Sequence, residues 1–314
     1  MRIGRLRFGV LALGAALCLA RAGRGGEEVK ASQSAGENAP LATTLAYRIE
    51  RSESGETRLQ NQPVAYMQRI PSDWKLTALL GRAAEAPERL MVLVPKLERE
   101  QERAAGKESL RIDAELFDQR LNGKTERRFG SKGTREEAEA LRRFTASPWY
   151  ELLWSGSAWT QVENVAEGTA WPFADRLALG RELVLYLPPL PDQPKDGAAF
   201  KQVVVLPFSA PVAPAQTAVV EYKVASQAGD SRDVALTFLG SVDNYCAKGF
   251  EWGGIRLNDV RVQVRLQGSA RVAIHSRELR EASLTYSASV ETVRGPDAFK
   301  SEWRLRSAWK QTSP

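Results

Sequence analysis

The fold class that this sequence predicts is mainly β, with α+β as the alternative: curved antiparallel sheet in two related lobes, with one amphipathic helix packed on the first. Three observations carry it. Between residues 260 and 293 apolar and polar positions alternate three times over, through Val260, Val262, Val264 and Leu266, then Ala270, Val272 and Ile274, then Leu284, Tyr286, Ala288 and Val290. A period of two marks strands with one face in a core and one in water, and three in succession predict an antiparallel meander. Asn122-Gly123, set between alternating segments, is the sequence of a type I′ hairpin turn. One stretch reads as a helix, over residues 134–147. Thr134 and Glu137 form a capping box, Ala138, Leu141 and Phe144 make an apolar stripe, and Ser147-Pro148 ends it.

The chain opens with Arg2, Arg5 and Arg7, an apolar run over residues 8–20, and the small-x-small pattern Ala20-Arg21-Ala22. This is the layout of a secretory signal peptide over residues 1–22, because the apolar run is too short to span a bilayer. Cys18 follows the bulky Leu17, where a lipidated cysteine follows a small residue, so plain cleavage near Ala22 is expected. The expected address is therefore periplasmic or extracellular, with no transmembrane helix left after cleavage. Residues 23–40 are polar and without periodicity, and read as a flexible leader.

Ordered structure is expected from residue 41. Leu45, Tyr47 and Ile49 alternate as a strand, and residues 52–55, ending in Gly55, read as its turn. Residues 90–94 read as a short buried strand stopped by Pro95, and residues 97–106 as a charged, helix-permissive connector. Leu110, Ile112, Ala114 and Leu116 alternate into the hairpin at Asn122-Gly123, which returns over residues 125–129. Trp154 and Trp159 flank Ser155-Gly156-Ser157 and are expected to fill the core of a hairpin rather than to form a stacking platform. Two proline clusters between residues 183 and 217 flank an apolar strand over residues 200–206, and divide a first lobe, residues 41–187, from a second, residues 188–314. Val220, Tyr222 and Val224 open the second lobe much as Leu45, Tyr47 and Ile49 open the first, and Trp303, Leu305, Ser307 and Trp309 share one face of a final strand.

Charge excludes some function classes. The chain carries 44 basic and 38 acidic residues, but residues 1–22 hold four arginines and no acidic residue, so cleavage leaves 40 against 38 and a formal charge of +2 instead of +6. That is poor ground for nucleic-acid binding, and none is expected. From residue 254 onward the balance is 11 basic to 6 acidic. A mature chain with the single Cys246 has no intramolecular disulfide. His275 is the sole histidine, and neither a nucleophile elbow, a metal-ligand spacing nor a phosphate-cradling glycine loop occurs, so no cofactor or metal is expected.

The candidate site comes from the meander. A turn at Gln267-Gly268-Ser269 would pair Leu266 with Ala270 and keep one face dry. It would then set Arg265 opposite Arg271 and Arg261 opposite His275 on the wet face, where Arg261, Arg265, Arg271 and His275 either form a ligand-binding cluster for an anion or are neutralised by carboxylates of a neighbouring strand and by water.

The leader, the Tyr-containing first strand, the segment Leu187-Pro188-Pro189-Leu190-Pro191 and the terminal meander around residues 268–293 together resemble uncharacterised secreted bacterial β-rich proteins, some of them similar in layout to the lipoprotein-carrier half-barrels. The resemblance implies a curved antiparallel sheet with helices against its concave side, and carries over no site residue. The expected function is a non-catalytic secreted or cell-envelope protein that binds an anionic envelope component or an apolar ligand. The alternative is an envelope-polymer hydrolase working through paired carboxylates.

Overall fold

The computed structural model describes residues 41–59, 68–69, 71–83, 86–103, 105–161, 177–190, 194–206, 216–227, 233–246, 250–252, 255–257, 259–292 and 299–312. The signal peptide and leader expected over residues 1–40 lie outside them. The first stretch of sequence supplies β1 (Leu41–Leu59), β2 (Gln68–Arg69), β3 (Ser72–Ala83), β4 (Ala86–Arg103), β5 (Gly106–Ile112), β6 (Leu116–Leu121), β7 (Lys124–Gly130), helix α1 (Arg135–Ala146), β8 (Tyr150–Trp154), β9 (Trp159–Gln161) and helix α2 (Leu179–Tyr186). The second supplies β10 (Ala199–Val205), β11 (Thr217–Gln227), β12 (Asp233–Cys246), β13 (Phe250–Trp252), β14 (Ile255–Leu257), β15 (Val260–Ala273), β16 (Glu278–Thr292) and β17 (Phe299–Thr312).

All but β13 and β14 join one antiparallel sheet in the order β10-β11-β12-β15-β16-β17-β1-β3-β4-β5-β6-β7, with β2 beside β1, and β8 and β9 added at β4. The sheet is open, its ends being β10 and β7. Each half of the sequence builds a contiguous half of the sheet, and the two meet where β17 ladders with β1 from Ala46↔Thr312 to Leu59↔Phe299.

One face, called inner here, carries the core. Tyr47 and Ile49 of β1, Trp74 and Leu76 of β3, Tyr222 and Val224 of β11, and Val260, Val262 and Val264 of β15 are all buried on it. The opposite, outer face is polar. The alternation of the sequence therefore places the faces correctly, but two predicted turns do not exist. β15 runs through Gln267-Gly268-Ser269 with its phase unbroken, Val260 to Val272 facing inward at every even position, so the expected turn and its register are corrected. The reason is steric. Gly268 lies directly opposite Phe238, whose ring fills the place of a side chain there: a Cβ on Gly268 would stand 2.4 Å from Phe238 Cζ and 2.2 Å from the Ser283 carbonyl oxygen. Gly55 repeats the arrangement. It sits mid-strand opposite Trp303, and its Cβ would stand 2.5 Å from that ring, so residues 52–55 continue β1 rather than turn it. Glycine in a strand marks close approach here, not a reversal.

The connector expected over residues 97–106 is likewise strand. β4 continues past Pro95, with a bulge opposite Thr77 and Leu79, and changes partner there: Arg89 to Val92 ladder with β8, Leu97 to Arg103 with β5. Proline lacks the donor a central ladder needs, and a bulge at the change of partner is where that lack is tolerated. The Asn122-Gly123 turn forms as read, both residues at positive φ. Trp154 and Trp159 meet edge to face across the β8–β9 hairpin, with Trp159 buried.

Helix α1 begins at the expected capping box, Glu137 N–H donating to Thr134 Oγ1 at 3.2 Å and Thr134 N–H to Glu137 Oε2 at 2.9 Å, and buries Leu141 and Phe144. Helix α2 has no capping side chain, and is held instead by a buried ion pair. Arg51 of β1 is wholly buried; its Nε donates to Glu53 at 2.7 Å, and its Nη1 to the Leu177 carbonyl at 2.6 Å and to Glu182. The other oxygen of Glu182 accepts from Ser307 Oγ at 2.7 Å, Trp309 Nε1 at 2.9 Å and the Tyr186 hydroxyl at 3.3 Å. Burial raises the Glu182 carboxyl above the usual carboxylate range, while Arg51, Ser307 and Trp309 pull it back. At the far end of α2 the Tyr222 hydroxyl donates to the Leu185 carbonyl at 3.0 Å, and Pro188 follows.

Three stability changes follow from these contacts, each read as a shift in the denaturant midpoint. Glu182→Ala takes from the buried Arg51 one of its two carboxylate partners among the described residues, and is expected to cost about 3 kcal/mol, the lower end for breaking a buried pair. Gly268→Ala forces a methyl against Phe238 and backbone, for a loss of roughly 1–3 kcal/mol; a neutral result would restore the turn. Thr134→Ala removes the cap of α1, for a loss of about 1 kcal/mol.

Candidate functional site

The four residues that the sequence singles out do not meet. Arg261, Arg265 and Arg271 share the outer face of the unbroken β15, and His275 is exposed in the turn beyond it. Ten residues separate Arg261 from Arg271, about 33 Å of extended chain. Arg261 is matched internally by Asp243, its Nε and Nη2 donating to the two carboxylate oxygens at 2.8 and 2.6 Å. These bonds, with one from Gln263, hold the Asp243 carboxyl down to about 2. Arg271 lies 3.6 Å from Glu281. The expected pairs Arg265–Arg271 and Arg261–His275 fail for the reason already given: the strand does not turn at Gly268.

Arg265 has other neighbours. A straight row crosses the outer face from β12 to β1, residue opposite residue: Ser241, Arg265, Ser287, Arg304, Ser54. Arg304 is two strands from Arg265, about 10 Å between backbones, with the Ser287 hydroxyl between them. A cleft of about 400 Å³ opens over this row, with Ser241, Arg265, Ser287, Ser289 and Arg304 in its walls. Arg306, two residues along β17 on the same face, starts the next row, which runs Thr285, Arg306, Ser52, Asp73, Glu100. A cleft of about 900 Å³ lies over that row and continues toward β6.

Arg265, Arg304 and Arg306 make no hydrogen bond or ion pair among the described residues, and the acids beside them are engaged elsewhere. Asp243 holds Arg261, Glu302 holds Lys300 at 2.6 Å, and Glu50 holds Arg48 at 2.6 Å. The other half of the outer face differs. There the row Glu50, Lys75, Glu98, Arg111, Asp118, Arg128 crosses six strands with the sign changing at every step. Opposite charges facing across a ladder stabilise it, so this row neutralises itself.

The alternation of β17 already puts Arg304 and Arg306 opposite in sense to Trp303, Leu305 and Ser307, so their face is legible in the sequence. Their company with Arg265 depends on register across three strands. The tryptophans contribute to packing: Trp149 is buried edge to face against Phe144, and Trp154 carries the Arg277 guanidinium 3.8 Å above its ring. Among the described residues no group of three metal-ligating side chains comes together.

No protein-family model matches the chain, and no curated protein matches it. Among solved structures, it is similar to one of lipovitellin, described for its lipid–protein interactions, at 8% identity and a TM-score of 0.41. That likeness takes in 85% of this chain, which spans about a quarter (25%) of the lipovitellin chain. OccK2 (OpdF) of Pseudomonas aeruginosa follows at 7% identity and a TM-score of 0.18, covering 87% of this chain and 99% of that one.

Proposed function

We propose that the chain is a non-catalytic, exported protein of the cell envelope that binds an anionic envelope component on the outer face of its sheet, through Arg265, Arg304 and Arg306. The observation that carries this reading is the charge imbalance: three guanidiniums over a hydroxyl-lined cleft, without partners among the described residues, where the acids alongside are already engaged. Guanidinium presents a planar fork that matches the oxygens of phosphate or carboxylate, and serine hydroxyls supply further donors. The N-terminal run of residues 1–22 supports export. No helix among the described residues is long and apolar enough to cross a membrane.

The cleft over Arg265 and Arg304 is lined mainly by polar residues, and the inward side chains of the described strands are buried against one another, which favours the anionic component over an apolar ligand. The hydrolase alternative has its carboxylates in the larger cleft, where Asp73 and Glu100 stand directly opposite each other. A general acid needs one carboxyl raised toward neutrality. Glu100 is shifted the other way, held below the usual carboxylate range by its hydrogen bond with Lys107 at 2.7 Å. That pair suits ion binding better than proton donation.

The test is sedimentation with vesicles rich in phosphatidylglycerol, at low and at moderate salt. Wild-type protein is expected to bind, and to lose affinity as salt screens exposed charges over about 10 Å at 0.1 M. Arg265→Glu/Arg304→Glu, both on the exposed face, is expected to lose binding while its unfolding transition stays in place. Undiminished binding by the double variant would remove these arginines from the site.

A further inference from the structure

The row that begins at Arg306 does not end in neutral residues. It runs Arg306, Ser52, Asp73, Glu100 across β17, β1, β3 and β4, all on the outer face and all in the wall of the 900 Å³ cleft. Asp73 and Glu100 are like charges directly across a ladder, an arrangement that destabilises a sheet unless a cation lies between them. Glu100 has one, the Lys107 ammonium at 2.7 Å. Lys107 feels Asp73 only through space, and Asp73 makes no hydrogen bond or ion pair among the described residues. A second acid opens into the same cleft. Asp118 is 8% exposed; Arg120 holds its Oδ2 at 2.8 Å, and its Oδ1 is buried without a hydrogen-bond partner.

One cleft thus holds an unbalanced cation at one end and unbalanced acceptors toward the other. Arg306 and Asp73 are separated by a single strand carrying Ser52, about 10 Å from backbone to backbone. We infer that the component bound on the outer face is dipolar: its phosphate lies against Arg304 and Arg306, and a primary ammonium on the same molecule lies against Asp73, in the acidic part of the cleft. This rests on the anion-binding reading above and adds the second group of the ligand. Asp73 suits an ammonium because it is acceptor-only and unscreened by any bonded cation. Ser52, between the two, offers a hydroxyl that can turn either way.

Hexyl phosphate and 6-aminohexyl phosphate, which share the anion and the spacer and differ in the amine, separate the two ideas. Binding of each is followed by calorimetry at low salt, to wild type and to Asp73→Asn. The amine is expected to tighten binding to wild type roughly fivefold, the size of one exposed ion pair. Asp73→Asn should bring 6-aminohexyl phosphate to the level of hexyl phosphate, so that the preference between the two ligands is lost. Equal binding of the two by wild type would overturn the dipolar ligand and leave the anion site standing. An amine preference that persists in Asp73→Asn would overturn the assignment to Asp73. Binding of neither would overturn the anion site as well.

Discussion

The contact on which the rest of this structure depends is the buried pair of Arg51 and Glu182. An open sheet with one apolar face must cover that face, and α2, which lies against it, is only eight residues long with no capping side chain. Helices so short do not hold themselves. Taking two charges out of water costs several kcal/mol each, and their attraction offsets that only when every remaining lone pair and proton is satisfied. Here they are. Arg51 reaches Glu53, Glu182 and a carbonyl, and Glu182 also accepts from Ser307, Trp309 and Tyr186. Arg51 and Ser307 are directly opposite in the ladder of β1 with β17. One carboxylate from the helix therefore clamps the seam where the two halves of the sheet meet, bridging residues 131 and 125 positions apart in the chain.

The clamp inside dictates the surface outside. Side chains alternate with a period of two, so a strand that points Ser307 and Trp309 at Glu182 must point Arg304 and Arg306 at solvent. Likewise Arg51 and Glu53 inward leave Ser52 and Ser54 outward, and these are the residues opposite Arg306 and Arg304. A slip of one residue at the seam would bury the arginines and expose the donors that hold Glu182. The candidate site is thus the reverse side of the core's polar contact, fixed by the same register.

How much of this was legible in the sequence follows from what each feature needs. Strand faces need only alternation, and Tyr47, Val262, Tyr286 and Trp309 all fall on the side it assigns. The capping box of α1 and the Asn122-Gly123 turn need only local chemistry, and both form as read. Gly55 and Gly268 misled because glycine permits a turn and also permits an aromatic ring to lie on the backbone. The difference lies in Trp303 and Phe238, each far along the chain. Helix α2 gave no signal: its sequence is apolar on most sides, it starts at Ala178 without a cap, and its buried charge, Glu182, makes sense only beside Arg51. The neighbours Arg304 and Arg306 of Arg265 were hidden for the same reason, since they sit on β17, reached only by counting residues across β16.

The arginine row is distinguished from an ordinary solvated face by the contrast within a single sheet. Along the row from Glu50 of β1 to Arg128 of β7 the outer face alternates in sign and needs nothing from solution. Around the seam the same face accumulates Arg265, Arg304 and Arg306 with every adjacent acid engaged. Holding such charges costs little in the free protein: two unit charges about 7 Å apart in water repel by only about 0.6 kcal/mol, and salt screens part of that. The cost is small because the side chains are exposed. For the same reason it is recovered in full when an anion sits between them, since no desolvated partner has to be abandoned first. A surface of this kind is inexpensive to maintain empty and gains on occupation, which is what a binding face requires and what a self-neutralising ladder does not offer.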